Sequence, residues 1–144
     1  MPLSCGYGGN ANVCGGPDGG PGSFRLEIEA GTQTGMTART WGGIMNSAGD
    51  SVCWSDVGMA GANQAVVRYS NGEPAGDSVT VTFNGVTVGT VLFATCDDAW
   101  AGDCATASGT LTVPDAGSLT GTLCLVGVGS GWIAALNWLD ISGG

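Results

Sequence analysis

The sequence predicts an all-β protein, an antiparallel β-sandwich of jelly-roll type. Three observations predict it. Apolar and polar residues alternate with period two in several short runs. β-branched residues dominate these runs, and no helical period competes with them. Turn residues separate them, foremost Asn84-Gly85 between two alternating runs, a strong hairpin signal because both turn positions must accept positive φ. Eight or nine short strands in about 120 residues suit a two-sheet antiparallel sandwich.

Each element follows in order. Residues 1–23 are rich in Gly, Asn and Pro with two cysteines, and cannot form a core, so they read as an arm or linker. The sandwich domain is expected over 24–144. Residues 24–30 set Phe24, Leu26, Ile28 and Ala30 against Arg25, Glu27 and Glu29, a strand. Residues 31–49 read as a long loop holding Trp41 and Met45. Residues 51–57 and 64–69 are further strands. Residues 78–83 and 86–93 form the hairpin. Residues 95–108 are a second long loop, with Trp100, Asp97, Asp98 and Asp103 between and around Cys96 and Cys104. Residues 110–113, 122–128 and 133–141 complete the set. Loops this long in a compact domain are usually functional.

Composition narrows the chemistry. The chain has 144 residues, 12 carboxylates, three arginines, no lysine and no histidine, for a net charge of −9. Without His there is no Ser-His-Asp or Cys-His unit. Without Lys there is no Schiff base and no P-loop lysine. Three scattered arginines do not make a nucleic-acid surface. Mean hydropathy is +0.24, so the chain is not of the disordered class. No apolar run reaches membrane-span length. The first residues lack the basic and apolar regions of a signal peptide, as expected of a processed end or an excised segment.

Six cysteines point to an oxidising, extracellular compartment. They allow 15 pairings. The local pairs Cys5–Cys14 and Cys96–Cys104 are expected, with Cys53–Cys124 joining two strands. The competing reading is a set of buried free thiols.

Carboxylates and indoles carry the remaining options. Glu27 and Glu29 are two apart on one strand and so share a face. A solvated face ranks first for them, oxygen ligands of Ca²⁺ second, and a glycosidase acid/base pair a distant third. Asp97-Asp98 has the same options. Trp54 and Trp138 sit in strand-like runs and read as core. Trp41, Trp100 and Trp132 lie in loops or after a glycine turn. There they either stack on the apolar face of a sugar or cap the sandwich.

Residues 24–141 resemble the family 6 carbohydrate-binding modules and their family 35 relatives, calcium-bearing sandwiches of the galactose-binding-domain type. The likeness rests on five segments in order. Leu26-Glu27-Ile28-Glu29-Ala30 is similar to the opening strand, and Gly49-Asp50-Ser51-Val52-Cys53-Trp54 to a Gly-Asp-aromatic-Val-x-aromatic strand. Val67-Arg68-Tyr69-Ser70-Asn71-Gly72 resembles an Arg-Tyr-Ala-Asn-Gly strand end, and Val81-Thr82-Phe83-Asn84-Gly85 its hairpin. Ala135-Leu136-Asn137-Trp138-Leu139-Asp140-Ile141 resembles the closing strand. The resemblance implies a structural Ca²⁺ on Glu29 and Glu27, with Asn137 where the family has aspartate, one negative charge fewer. It also implies a sugar site in the loops at one end. Trp100 matches one of the family's two tryptophans, and the other falls near Cys104. The family's tyrosine falls near Met45, with Trp41 close by, and its sugar-binding asparagine falls on Ala135. The scaffold matches better than the site.

The resulting expectation is a non-catalytic, extracellular carbohydrate-binding module. It would take a neutral polysaccharide or oligosaccharide through Trp41, Trp100 and Trp132, hold Ca²⁺, and engage neither nucleic acid nor membrane. The alternative is a self-assembling structural subunit of an extracellular filament or coat. It draws on the cysteine-bearing arm, the low charge and the missing asparagine.

Overall fold

A computed structural model describes residues 23–72, 77–96, 102–113, 120–129 and 131–143. Cys5, Cys14, Asp97, Asp98 and Trp100 lie outside the described residues. The strands are β1 (Ser23–Glu27), β2 (Thr32–Thr34), β3 (Thr37–Arg39), β4 (Gly42–Met45), β5 (Ser51–Gly58) and β6 (Ala62–Ser70). They continue with β7 (Ser78–Phe83), β8 (Val86–Leu92), β9 (Ala105–Thr110), β10 (Thr120–Val128) and β11 (Ala134–Gly143). One sheet runs β3-β4-β11-β6-β9, with β1 also on β11. The other runs β2-β5-β10-β7-β8. All pairings are antiparallel. This is the predicted sandwich.

The alternation read from sequence produces the core. Inward residues such as Val52, Val79, Val81, Leu123, Leu125, Leu136, Leu139 and Ile141 are fully buried between the sheets. Trp54 is buried as expected and donates its Nε1–H to the Glu27 carbonyl, 3.0 Å. Tyr69 stacks on Phe93, ring centroids 4.7 Å apart, and its hydroxyl donates to the Ala94 carbonyl at 2.9 Å. The hairpin turn is as predicted, with φ of 52° at Asn84 and 84° at Gly85.

Five expectations are corrected. The first strand ends at Glu27, and Ile28–Ala30 form a 3₁₀ turn closed by Gly31 N–H to the Ile28 carbonyl, 3.1 Å. Here the chain leaves one sheet for the other. It passes so tightly that a Cβ on Gly31 would stand 2.5 Å from Val52 Cγ2. Glu29 therefore does not share a strand face with Glu27. The 31–49 loop contains β2, β3 and β4, and Met45 is fully buried. These strands of three or four residues are too short to show a period, and pairing onto β5 and β11 makes them. The end of the 95–108 loop is β9, whose inward residues are Ala105, Ala107 and Gly109. They are small because β9 crosses β8 at contact distance: a Cβ on Gly109 would strike the Thr90 carbonyl. The strand expected at 110–113 reduces to the last residue of β9 and an isolated bridge at Leu111. Finally, Trp138 is not core. The β11–β6 register slips between Leu136 and Trp138, and this bulge turns Asn137 and Trp138 both outward.

Cys53–Cys124 and Cys96–Cys104 are disulfides, with Cα–Cα separations of 4.1 and 6.1 Å. The first pair faces outward on the second sheet. Cross-strand register aligns one outward row as Thr34, Ser51, Val126, Thr80 and Thr90. A second aligns as Thr32, Cys53, Cys124, Thr82 and Thr87. Leu92, Ser78 and Val128 form a third, shorter row.

Candidate functional site

The connections after β4, β6, β8 and β10 all leave the sandwich at one end. There the chain builds a frame. Asp50, buried, accepts from the backbone N–H groups of Asn46 and Ser47 at 2.7 and 3.0 Å, which fixes the β4–β5 turn. The disulfide-closed loop is tied to the end of β6 on both sides. Cys96 N–H donates to the Asn71 carbonyl and Cys104 N–H to the Tyr69 carbonyl, both at 2.9 Å. Gly102 and Asp103 donate their N–H groups to Ser70 Oγ at 2.9 and 3.2 Å. Arg68 Nη2 adds a bond to the Asp103 carbonyl at 2.7 Å.

The described end of this loop, Gly102, lies against the outward face at Asn137 of β11. A Cβ on Gly102 would be 2.6 Å from Trp41 Cζ3 and 3.5 Å from Asn137 Cβ. The Gly102 backbone therefore rests on the Trp41 ring beside Asn137, and its φ of 76° suits glycine. Trp41 is half-buried in the β3–β4 turn. The structure thus joins Trp41, Asn137 and the cysteine-closed loop, a grouping that the sequence did not give.

Trp132 stands elsewhere. It lies in the β10–β11 connection, 52% exposed, between Gly131 with φ 69° and the fully buried Ile133. Ile133 N–H donates to the Met45 carbonyl at 2.9 Å, which anchors the tip. Ala135, at the position of the family asparagine, is fully buried and offers no polar group.

Below Asn137 the outward face is ionic. Arg25 forms a two-pronged bond with Asp140, Nε at 2.7 Å and Nη2 at 3.0 Å. Its guanidinium sits 3.7 Å from the centre of the Trp138 ring. The bond to Asp140 holds the Arg25 pKa above its usual value. Glu27 pairs in register with Trp138. Burial pushes its carboxyl pKa up, and the Glu29 charge pushes it further, so the two carboxylates remain electrostatic neighbours across the 3₁₀ turn. Glu27 lies opposite the residue after Asn137. Among the described residues, no three His, Cys, Asp or Glu side chains gather into a metal cluster. The Arg25–Trp138–Asp140 group was not read from the sequence, because it depends on β1 pairing with β11, strands more than 100 residues apart.

No family model matches the chain, and no curated protein matches it. Solved structures do match. A family 6 carbohydrate-binding module from Clostridium cellulolyticum, in complex with xylose, superposes with a TM-score of 0.69 at 23% identity. The match covers 82% of this chain and 95% of that one. A β-1,3-glucan-binding family 6 module from Bacillus halodurans gives a TM-score of 0.67 at 22% identity, covering 83% and 95%. A family 36 module in complex with calcium and xylotriose gives 0.61 at 19% identity, covering 82% and 98%. The chain has the fold of these carbohydrate-binding modules.

Proposed function

We propose that this sandwich is a non-catalytic, extracellular carbohydrate-binding module for a neutral polysaccharide. The observation that carries the reading is Trp132, an exposed indole on a backbone-anchored tip at the end of a fold shared with sugar-binding modules. A flat indole held in place stacks on a sugar ring at little ordering cost. Trp100, in the tethered cysteine loop, is the second stacking residue, and Trp41 supports that loop through Gly102. A neutral ligand follows from charge. Arg25 is engaged with Asp140 and Arg68 with the Asp103 carbonyl, and a net charge of −9 repels anionic polymers.

Affinity electrophoresis through β-glucan, xylan and mannan gels tests this. Wild type is expected to be retarded by at least one gel, with Trp132→Ala and Trp100→Ala running freely. Wild type unretarded by all three, with tryptophan fluorescence indifferent to soluble oligosaccharides, would replace the reading with the structural-subunit alternative.

The same reading includes a Ca²⁺ held by Glu27, Glu29 and the Asn137 amide oxygen, completed by backbone carbonyls. The donor set is hard oxygen, which suits the ion. The crowding of Glu27 by Glu29 is the repulsion that a bound cation relieves. With two carboxylates in the set, the affinity expected is that of weak extracellular modules, about 10⁻⁴–10⁻³ M. A ligand bound only to the native state raises its stability by mass action. The melting temperature should therefore rise on adding millimolar Ca²⁺ to chelator-treated protein, and Glu29→Gln should abolish the rise. A melting curve that Ca²⁺ leaves unmoved returns both glutamates to a solvated face.

A further inference from the structure

We propose that the outward face of the second sheet, β2-β5-β10-β7-β8, is a self-association surface where two copies of this chain stack sheet on sheet. The face is independent of the glycan reading and lies on the opposite side of the sandwich from Trp41 and Asn137.

Its composition sets it apart. In a chain of net charge −9, none of the aligned outward rows carries a charge. The first charge met on β5 is Asp56, exposed beyond the last row. The first sheet, by contrast, carries Arg25, Glu27, Arg68 and Asp140. A contact through the first sheet must desolvate or match these charges, whereas the second face has none to desolvate.

The side chains also suit close stacking. Threonine, serine, valine and half-cystine are short, and β-branched threonine and valine are stiff at χ1, so ordering them on contact costs little. One edge of the face is apolar: Leu92 is 66% exposed and Val128 is 45% exposed, flanking Ser78 across the strands. Facing sheets pack about 10 Å apart, which short side chains can fill.

Size sets the strength. Five strands about 4.8 Å apart, with rows about 6.8 Å apart, give a face of about 24 by 20 Å. That is about 500 Å² on each partner, below the roughly 800 Å² of a standard stable interface. The association is therefore weak and reversible. An isologous two-fold contact closes at the dimer.

Sedimentation equilibrium on the full chain, from micromolar to near-millimolar concentration, tests the proposal. Wild-type mass is expected to rise from one chain towards two. Leu92→Glu and Thr80→Glu, each placing a carboxylate on the face, should stay monomeric with unchanged circular dichroism. Ser108→Glu, exposed on the first sheet, should associate like wild type. Added salt should strengthen the association by screening the −9 repulsion, whereas a contact made of ion pairs would weaken. Wild type monomeric at every concentration overturns the proposal. So does association that survives both Leu92→Glu and Thr80→Glu. If wild type is monomeric and Thr80→Glu loses retention in the polysaccharide gels, the face is a glycan surface and the dimer is refuted.

Discussion

Gly109 and Gly58 have the same side chain and opposite consequences. Gly109 lies where β9 crosses β8, and any Cβ there meets the Thr90 backbone carbonyl, which cannot swing aside. Gly58, at the exposed end of β5, has nothing within 4 Å of the position a Cβ would take. Gly109→Ala should cost about 1–3 kcal/mol, the range for overpacking. Gly58→Ala should be neutral or stabilise by up to about 1 kcal/mol, through loss of unfolded-state freedom. Urea midpoints of the two variants check this, and equal midpoints would refute the crossing. The residue scale is also where the sequence misled. Trp138 sits among apolar residues in a strand-like run, so it reads as core. Leu139 and Ile141 face inward, so Trp138 shares the outward face of Asp140. The bulge between Leu136 and Trp138 lets Leu136 face inward as well, and Arg25 covers the Trp138 ring. Nothing local in Asn137 or Trp138 signals a bulge, because the slip exists only relative to β6.

Strands with bulky alternation were legible, and strands without it were not. β1, β5, β6, β7, β8, β10 and β11 each bury large residues on one side, and period two exposes that. β9 reads Ala-Thr-Ala-Ser-Gly-Thr, whose inward residues are too small to register as apolar. β2, β3 and β4 have three or four residues each, so their pairing partners define them. The site divides the same way. The exposed Trp132 was legible as an indole after a glycine turn. The contact of Gly102 with Trp41 was not, since it joins residues 61 positions apart through the β6 and β11 frame. The disulfides rank by how they tie these elements. Cys53–Cys124 spans 71 residues and Cys96–Cys104 spans eight. In the chain-entropy account, the longer closure stabilises by about 4 kcal/mol and the shorter by about 2–3 kcal/mol. Replacing the first pair by alanines should lower the denaturation midpoint more than replacing the second. The second replacement should instead weaken glycan retention, by loosening the loop over Trp41. The reverse ranking of midpoints would mean that native-state strain or denatured-state structure outweighs loop length.

Charge acts on the molecule as a whole. Twelve carboxylates against three arginines leave the folded state under self-repulsion at neutral pH. Glu27 shows the local form of it, its pKa raised first by burial and then by Glu29. The sign follows from linkage. An acid whose folded pKa lies above its unfolded value binds protons more readily when folded. Its ionisation therefore destabilises the native state, and that penalty is relieved as pH falls through the raised pKa towards the unfolded one. In chelator, the melting temperature should rise as pH is lowered from 7 to about 5, before the general protonation of carboxylates reverses the trend. Glu27→Gln should flatten the rise, because it removes the titrating group and leaves the uncharged form. With Ca²⁺ saturating, the rise should vanish or invert, since a proton on Glu27 then competes with the ion. Differential scanning calorimetry across this pH range, with and without Ca²⁺, separates the outcomes. A melting temperature in chelator that falls from pH 7 onwards would mean that carboxylates stabilised by their ionisation outweigh Glu27 and the overall repulsion. An identical pH dependence with and without Ca²⁺ would remove the ion from Glu27, whatever the protein does with sugars.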